Sequence, residues 1–182
     1  MNLPNKLTLL RVVLVPVFLA FMMIDALWAN ITGLAVFCIA SLTDMLDGQI
    51  ARKQKLVTTF GKFADPLADK MLTTAAFLVF MHRGILDPWP VFIILVREFA
   101  VSGIRLAAAA GGEVIAASYW GKIKTVTQMI SIIAGILLMC IEIIPANVTN
   151  TITCILVWLS VVFTIVSGVE YIIKNRKLLK LK

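Results

Sequence analysis

Residues 31–82 read ITGLAVFCIASLTDMLDGQIARKQKLVTTFGKFADPLADKMLTTAAFLVFMH. Two apolar runs, 31–51 and 62–82, flank a short polar and basic break from Arg52 to Thr59. Each run matches the roughly 20 residues that a helix needs to cross a bilayer. Four acids, Asp44, Asp47, Asp65 and Asp69, sit where the runs approach the break. Two helices joined by so short a loop are antiparallel neighbours. The stretch therefore predicts a helical hairpin in the membrane with carboxylates gathered at one end.

Outward from this hairpin the chain keeps the same character. Its 182 residues are 60% hydrophobic and only 15% charged, with a mean hydropathy of +0.97. That is more apolar surface than a soluble core of this size can hide. Further apolar segments fall at about 12–28, 89–110, 124–144 and 148–173, with turn or polar signals between them. Six spans consume roughly 120–140 residues and leave only short loops and tails. The expected fold is an all-α integral membrane protein, one domain over 1–182 with six transmembrane helices and no separate soluble catalytic domain. Lys6 and Arg11 precede the first span, but no small-x-small cleavage site follows, so that span reads as mature structure and not as a signal peptide. Residues 2–11 alternate polar and apolar side chains, which suits either a short N-terminal interfacial helix or the opening turns of span one.

The cations set an orientation. Lys6, Arg11, Arg52, Lys53, Lys55, Lys62, Lys122, Lys124, Lys174, Arg176, Lys177, Lys180 and Lys182 all fall on one side of the predicted spans. The other side carries Arg83 beside Asp25, Asp87 and Glu142. The positive-inside rule places both termini in the cytoplasm. Trp28 and Trp89 fit the outer interface, and Tyr119, Trp120 and Tyr171 the inner one. The net charge of +7 then reads as anchoring to anionic headgroups and not as nucleic-acid binding. Cys38, Cys140 and Cys154 lie inside apolar runs without ligand spacing and read as small hydrophobes. His82 reads as an interfacial polar residue.

An ionised carboxylate near hydrocarbon is costly and marks function by default. At 3.6 residues per turn, Asp44, Asp47, Gly48 and Ala51 share one stripe, and Gly61, Asp65 and Asp69 share another. Four like charges in one cleft must share protons, pair with cations such as Lys70 and Arg52, or bind divalent metal. An all-oxygen set suits Mg²⁺ or Mn²⁺, and four carboxylates fit a two-metal clamp on phosphate. Gly48, Ala51 and Gly61 leave room for a bulky phosphate ligand at the backbone.

Written as Asp44-x2-Asp47-Gly48-x2-Ala51-Arg52-x8-Gly61-x3-Asp65-x3-Asp69, the stretch resembles the signature of the CDP-alcohol phosphotransferase family at every fixed position. These are integral membrane enzymes of phospholipid synthesis. The resemblance implies that Asp44, Asp47, Asp65 and Asp69 ligate a divalent metal pair and that Asp69 is the general base. It further implies that Gly48, Arg52, Thr58 and Gly61 contact a CDP-diacylglycerol substrate. Asn5-x2-Thr8-x2-Arg11 resembles the family's N-terminal segment, which helps cover the nucleotide, and adds Asn5 and Thr8 to that set. A homodimer in the cell membrane is likewise implied.

The second half of the chain is expected to choose the acceptor. Arg97 and Glu98 lie about nine residues into span four, roughly 13 Å deep at 1.5 Å per residue. Glu98 and Arg105, seven apart, share a face, which leaves room for an electrostatic link between them through an intermediary. Lys122 and Lys124 open span five. Converging cations beside an acidic metal site suggest a substrate with its own phosphate. The runs Arg97-Glu98, Ser102-Gly103-Ile104-Arg105 and Gly121-Lys122-x-Lys124-Thr125-x2-Gln128 resemble the bacterial branch of the family that uses glycerol 3-phosphate. Arg97, Arg105, Lys122 and Lys124 are the expected contacts for that phosphate. The competing readings are a sister enzyme with phosphatidylglycerol, inositol phosphate or serine as acceptor, and an ion-coupled transporter. An interhelical ion pair for Arg97 and Glu98, and leaflet anchoring for Lys122 and Lys124, are the plain structural alternatives.

Overall fold

The computed structural model describes residues 3–54, 59–110, 115 and 118–176, with the side chains of 3–7, 44–54, 59–69 and 110 outside the description. The described residues form six helices: α1 (Leu3–Met22), α2 (Leu27–Gln54), α3 (Thr59–His82), α4 (Pro88–Ala110), α5 (Tyr119–Met139) and α6 (Ala146–Lys174). No strand occurs among them. Two, α5 and α6, are long and apolar enough to cross a membrane. Shorter apolar helical stretches run over Thr8–Met22, Leu27–Thr43 and Lys70–His82.

Successive helices run up and down. α1 packs on α2 and α3, α6 packs on α4 and α5, and contacts of α2 with α5 and of α3 with α4 and α5 join the two groups. The core between them is apolar and aromatic: Phe18, Phe37, Ala76, Phe77, Phe80, Ile132, Ile136 and Val157 are almost wholly enclosed. Phe18 and Phe37 meet at 5.6 Å between ring centroids. Gly135 makes the α5 approach possible, since a Cβ there would come within 2.6 Å of Phe80 Cζ and 2.7 Å of Thr153 Cγ2.

The polarity of α6 is inverted relative to a soluble helix. Its buried face carries Thr149, Thr153, Ser160, Thr164, Ser167, Gly168 and Tyr171. Its exposed face carries Ile152, Ile155, Leu159, Val162, Ile165, Val169 and Ile173. Small polar residues inside and large apolar ones outside suit a helix solvated by lipid. Together with the two membrane-capable helices, this is a membrane protein.

Several boundaries differ from the hydropathy reading. The first helix ends at Met22, not near residue 28, and Leu27 already starts α2. Met23 and Ile24 in the turn are apolar, so the run of hydrophobicity hides the reversal. Residues 3–22 form one continuous helix, so a separate N-terminal interfacial helix is not formed. α5 occupies 119–139 instead of 124–144. Ser118 caps its start by accepting from the Gly121 N–H at 3.1 Å. At its far end Ile141, Ile143 and Ile144 belong to a turn before Pro145, and their hydrophobicity mimics a continuing span.

At the end of the bundle where α1 meets α2, Arg83 works as a staple. Its Nη1 pairs with Asp25. Its Nη2 donates to the carbonyls of Met22 at 3.0 Å and Ile24 at 2.9 Å, and to Asn30 Oδ1 at 3.3 Å. His82 is exposed beside it.

Candidate active site

Antiparallel alternation brings the N-terminal part of α1, the end of α2, the start of α3, the end of α4, the start of α5 and the end of α6 to the other end of the bundle. Asp44, Asp47, Gly48 and Arg52 belong to the last turns of α2, and Gly61, Asp65 and Asp69 to the first half of α3. The two helices are in contact. The side chains of these seven residues, and of Asn5 in α1, lie outside the described residues, as does Thr58 altogether. Thr8 and Arg11 are described; both are almost wholly enclosed on the inward face of α1.

The described part of the site begins one residue past Asp69. Lys70 donates from Nζ to Ser102 Oγ on α4. Ser102 is one turn from Glu98 on the same face of that helix. Glu98 Oε1 accepts from Arg97 Nη1 at 3.0 Å and from Lys124 Nζ on α5. Arg97 Nη2 reaches α6 and donates to Ser167 Oγ at 2.5 Å. Gly168 clears the path, since a Cβ there would stand 3.0 Å from Arg97 Cγ. Side-chain exposures of 12% for Arg97, 14% for Glu98 and 7% for Lys124 mean that these charges meet one another and not bulk water. Among the described residues, two cations from two helices thus share one carboxylate, and a third, Lys70, is held one turn along by Ser102.

The cationic residues named from the sequence do not all behave alike. Arg97 and Lys124 are brought together. Lys122 is exposed while Lys124, two positions on, is buried, so the two occupy different faces of α5. Arg105 takes a partner other than Glu98, with which it shares a face. Its Nε donates to Tyr171 Oη at 3.3 Å, and its guanidinium lies 5.7 Å above that ring. Tyr171 in turn is only 2% exposed, so it is a buried partner of Arg105 and not an interfacial anchor. The contribution of α6 went unread in the sequence: Ser160, Thr164, Ser167 and Tyr171 recur at helical spacing on one face. Ser167 and Tyr171 hold arginines, and Thr164 Oγ1 accepts from Gln128 Nε2 at 3.2 Å. A stripe of hydroxyls on so apolar a segment was the available signal.

Two helices in contact thus carry the aspartate quartet, and a buried ionic cluster lies just beyond it in an all-α membrane bundle. The family model for CDP-alcohol phosphatidyltransferase matches residues 1–166, and the chain belongs to that family. It is similar to the CDP-diacylglycerol--glycerol-3-phosphate 3-phosphatidyltransferase of Bacillus subtilis (strain 168), 43% identical with 98% of this chain and 97% of the relative covered. The protein of the same name from Rickettsia bellii (strain RML369-C) is 36% identical, with 93% of each chain covered. A probable phosphatidylglycerophosphate synthase of Mycobacterium tuberculosis (strain ATCC 25618 / H37Rv) is 37% identical over 94% of this chain and 80% of its own length. Family membership sets the transporter reading aside.

Proposed function

We propose that the chain is a phosphatidylglycerophosphate synthase, transferring the phosphatidyl group of CDP-diacylglycerol to sn-glycerol 3-phosphate. The donor's nucleotide sits at the cytoplasmic mouth and its acyl tails stay in the bilayer. Asp69 takes the proton of the acceptor's free primary hydroxyl. That oxygen bonds to the phosphorus nearest the diacylglycerol, the bond from that phosphorus to the bridging oxygen breaks, and CMP leaves with the oxygen. The products are phosphatidylglycerol phosphate and CMP.

The donor set of Asp44, Asp47, Asp65 and Asp69, all oxygen and drawn from two touching helices, fits a pair of hard divalent cations. Mg²⁺ or Mn²⁺ held there would supply positive charge to the diphosphate and to the leaving CMP. Arg52 forks onto phosphate oxygens, while Gly48, Gly61, Thr58, Asn5 and Thr8 complete the donor pocket. Arg97 and Lys124, with Arg105 and Lys122 nearer the surface, receive the acceptor's phosphate. All six helices cross the membrane, both termini and the active site face the cytoplasm, and the enzyme is a homodimer.

The observation that carries the acceptor assignment is the buried grouping of Arg97, Glu98 and Lys124, tied through Ser102 to Lys70 beside Asp69. An acceptor alcohol without an anionic group has no use for such a collar. The test is CMP release by purified protein with radiolabelled CDP-diacylglycerol against a panel of acceptors. Glycerol 3-phosphate should be the acceptor consumed, and Asp69→Asn or a chelator should abolish turnover. Turnover with phosphatidylglycerol, inositol phosphate or serine instead would reassign the branch. Undiminished turnover in Asp69→Asn would overturn the mechanism.

A further inference from the structure

Glu98 is the junction of the cationic cluster. Its Oε1 accepts from Arg97 on its own helix and from Lys124 on the next. Consecutive residues on a helix point about 100° apart, so Arg97 meets Glu98 only by bending toward it. α6 enforces the bend: Ser167 holds Nη2, and Gly168 leaves the space through which the side chain passes. Lys124, 6% exposed, finds its counter-charge in the same carboxylate.

Stability alone is a poor reason for this arrangement. Desolvating a carboxylate, an arginine and a lysine together costs much of what their attraction returns, and apolar residues of similar volume often serve a bundle equally well. What an ion cluster does supply is fixed geometry. Arg97 and Lys124 come from two helices, and a single oxygen between them sets their separation. The same carboxylate cancels one of their charges, so the pair is spaced and partly neutralised before any ligand arrives.

We infer that Glu98 is a positioning residue: it holds Arg97 and Lys124 as a rigid pair on which the acceptor's phosphate lands, so that the distant hydroxyl of the same molecule is delivered to the transferring phosphorus. The inference rests on the reading that these two cations receive the acceptor phosphate. Its consequence is a split between binding and turnover. Removing the charge of Glu98 makes the cluster one unit more positive, which favours any small anion. It also removes the shared acceptor that sets the spacing of the two cations, which spoils alignment, and misplacement by about 1 Å can cost roughly a hundredfold in rate.

The experiment uses the full chain in detergent with CDP-diacylglycerol vesicles, and compares Glu98→Gln, Glu98→Asp and Lys124→Gln with the unaltered enzyme. It measures kcat, KM for glycerol 3-phosphate, competitive inhibition by inorganic phosphate, and the thermal unfolding midpoint. Glu98→Gln should lower kcat by about tenfold or more, while phosphate inhibits several-fold more strongly. Glu98→Asp, which keeps the charge on a shorter stem, should recover part of the lost kcat. An unchanged kcat in Glu98→Gln, or weaker phosphate inhibition alongside a lowered unfolding midpoint, would overturn the inference and leave Glu98 a structural residue. Lys124→Gln separates the two levels. A raised KM there with an unaffected Glu98→Gln sinks this inference alone, whereas an unchanged KM sinks the acceptor reading and the inference with it.

Discussion

Lys70 on α3 and Ser102 on α4 are joined by a hydrogen bond one residue beyond Asp69. The bond links the helix that carries the second half of the aspartate quartet to the helix that carries Arg97 and Glu98. Bonds to a charged donor in a partly buried setting are worth about 1.5–3 kcal/mol. A double-mutant cycle on kcat/KM with Lys70→Met and Ser102→Ala should therefore return a coupling energy of about 1–2 kcal/mol. Additive effects would mean that the two halves of the site are not joined through this bond.

Gly168 is the opening through which Arg97 reaches Ser167. A methyl group there would stand 3.0 Å from Arg97 Cγ, so the side chain must shift by a few tenths of an ångström. Gly168→Ala should raise KM for glycerol 3-phosphate about three- to tenfold while the enzyme stays folded. Steady-state kinetics beside a thermal melt would check this, and an unaltered KM would exclude Gly168 from shaping the cluster.

Gly135 answers to packing alone. Its missing Cβ admits Phe80 Cζ and Thr153 Cγ2, which would otherwise lie at 2.6 and 2.7 Å. Overpacking of this kind costs about 1–3 kcal/mol. Gly135→Ala should lower the unfolding midpoint in detergent, and Phe80→Leu in the same chain should relieve part of the loss.

Arg83 offers the opposite contrast, a charged residue with a structural task. It ties the turn after α1, the start of α2 and the end of α3 through Asp25, two carbonyls and Asn30. Arg83→Met leaves these acceptors without their donor and should destabilise the fold by about 2 kcal/mol. Because it lies at the end of the bundle away from the aspartates, kcat should stay within about twofold of the unaltered enzyme.

Much of this molecule was legible before any coordinates. Hydropathy gave six helical segments, because lipid-facing helices must be apolar throughout their length. It misplaced the ends where apolar residues continue through a turn, as at Met23–Ile24 and Ile141–Ile144. The family signature was legible because it is local: eight fixed positions on two consecutive segments. Arg97 was legible as a charge set deep in a span, and Lys124 only as one of two cations opening span five. Their junction was not, since Glu98 could as well have turned to Arg105, seven residues along. Sequence spacing says which residues share a face, but not which neighbouring helix lies against it. The Arg105–Tyr171 contact and the Ser167 bond both depend on α6 packing against α4, a long-range choice that no periodicity encodes.

The inverted polarity of α6 also reverses its tolerance to change. Outward positions such as Ile155, Val162 and Ile173 should accept almost any greasy substitute and refuse a charge. Inward Ser160, Thr164 and Ser167, all 0% exposed, have no spare volume and are already engaged in hydrogen bonds. Attempts to make this enzyme water-soluble by recolouring its exterior would thus leave the polar seam untouched. Efforts to harden it by greasing its interior would dissolve the surface against which Arg97 is braced.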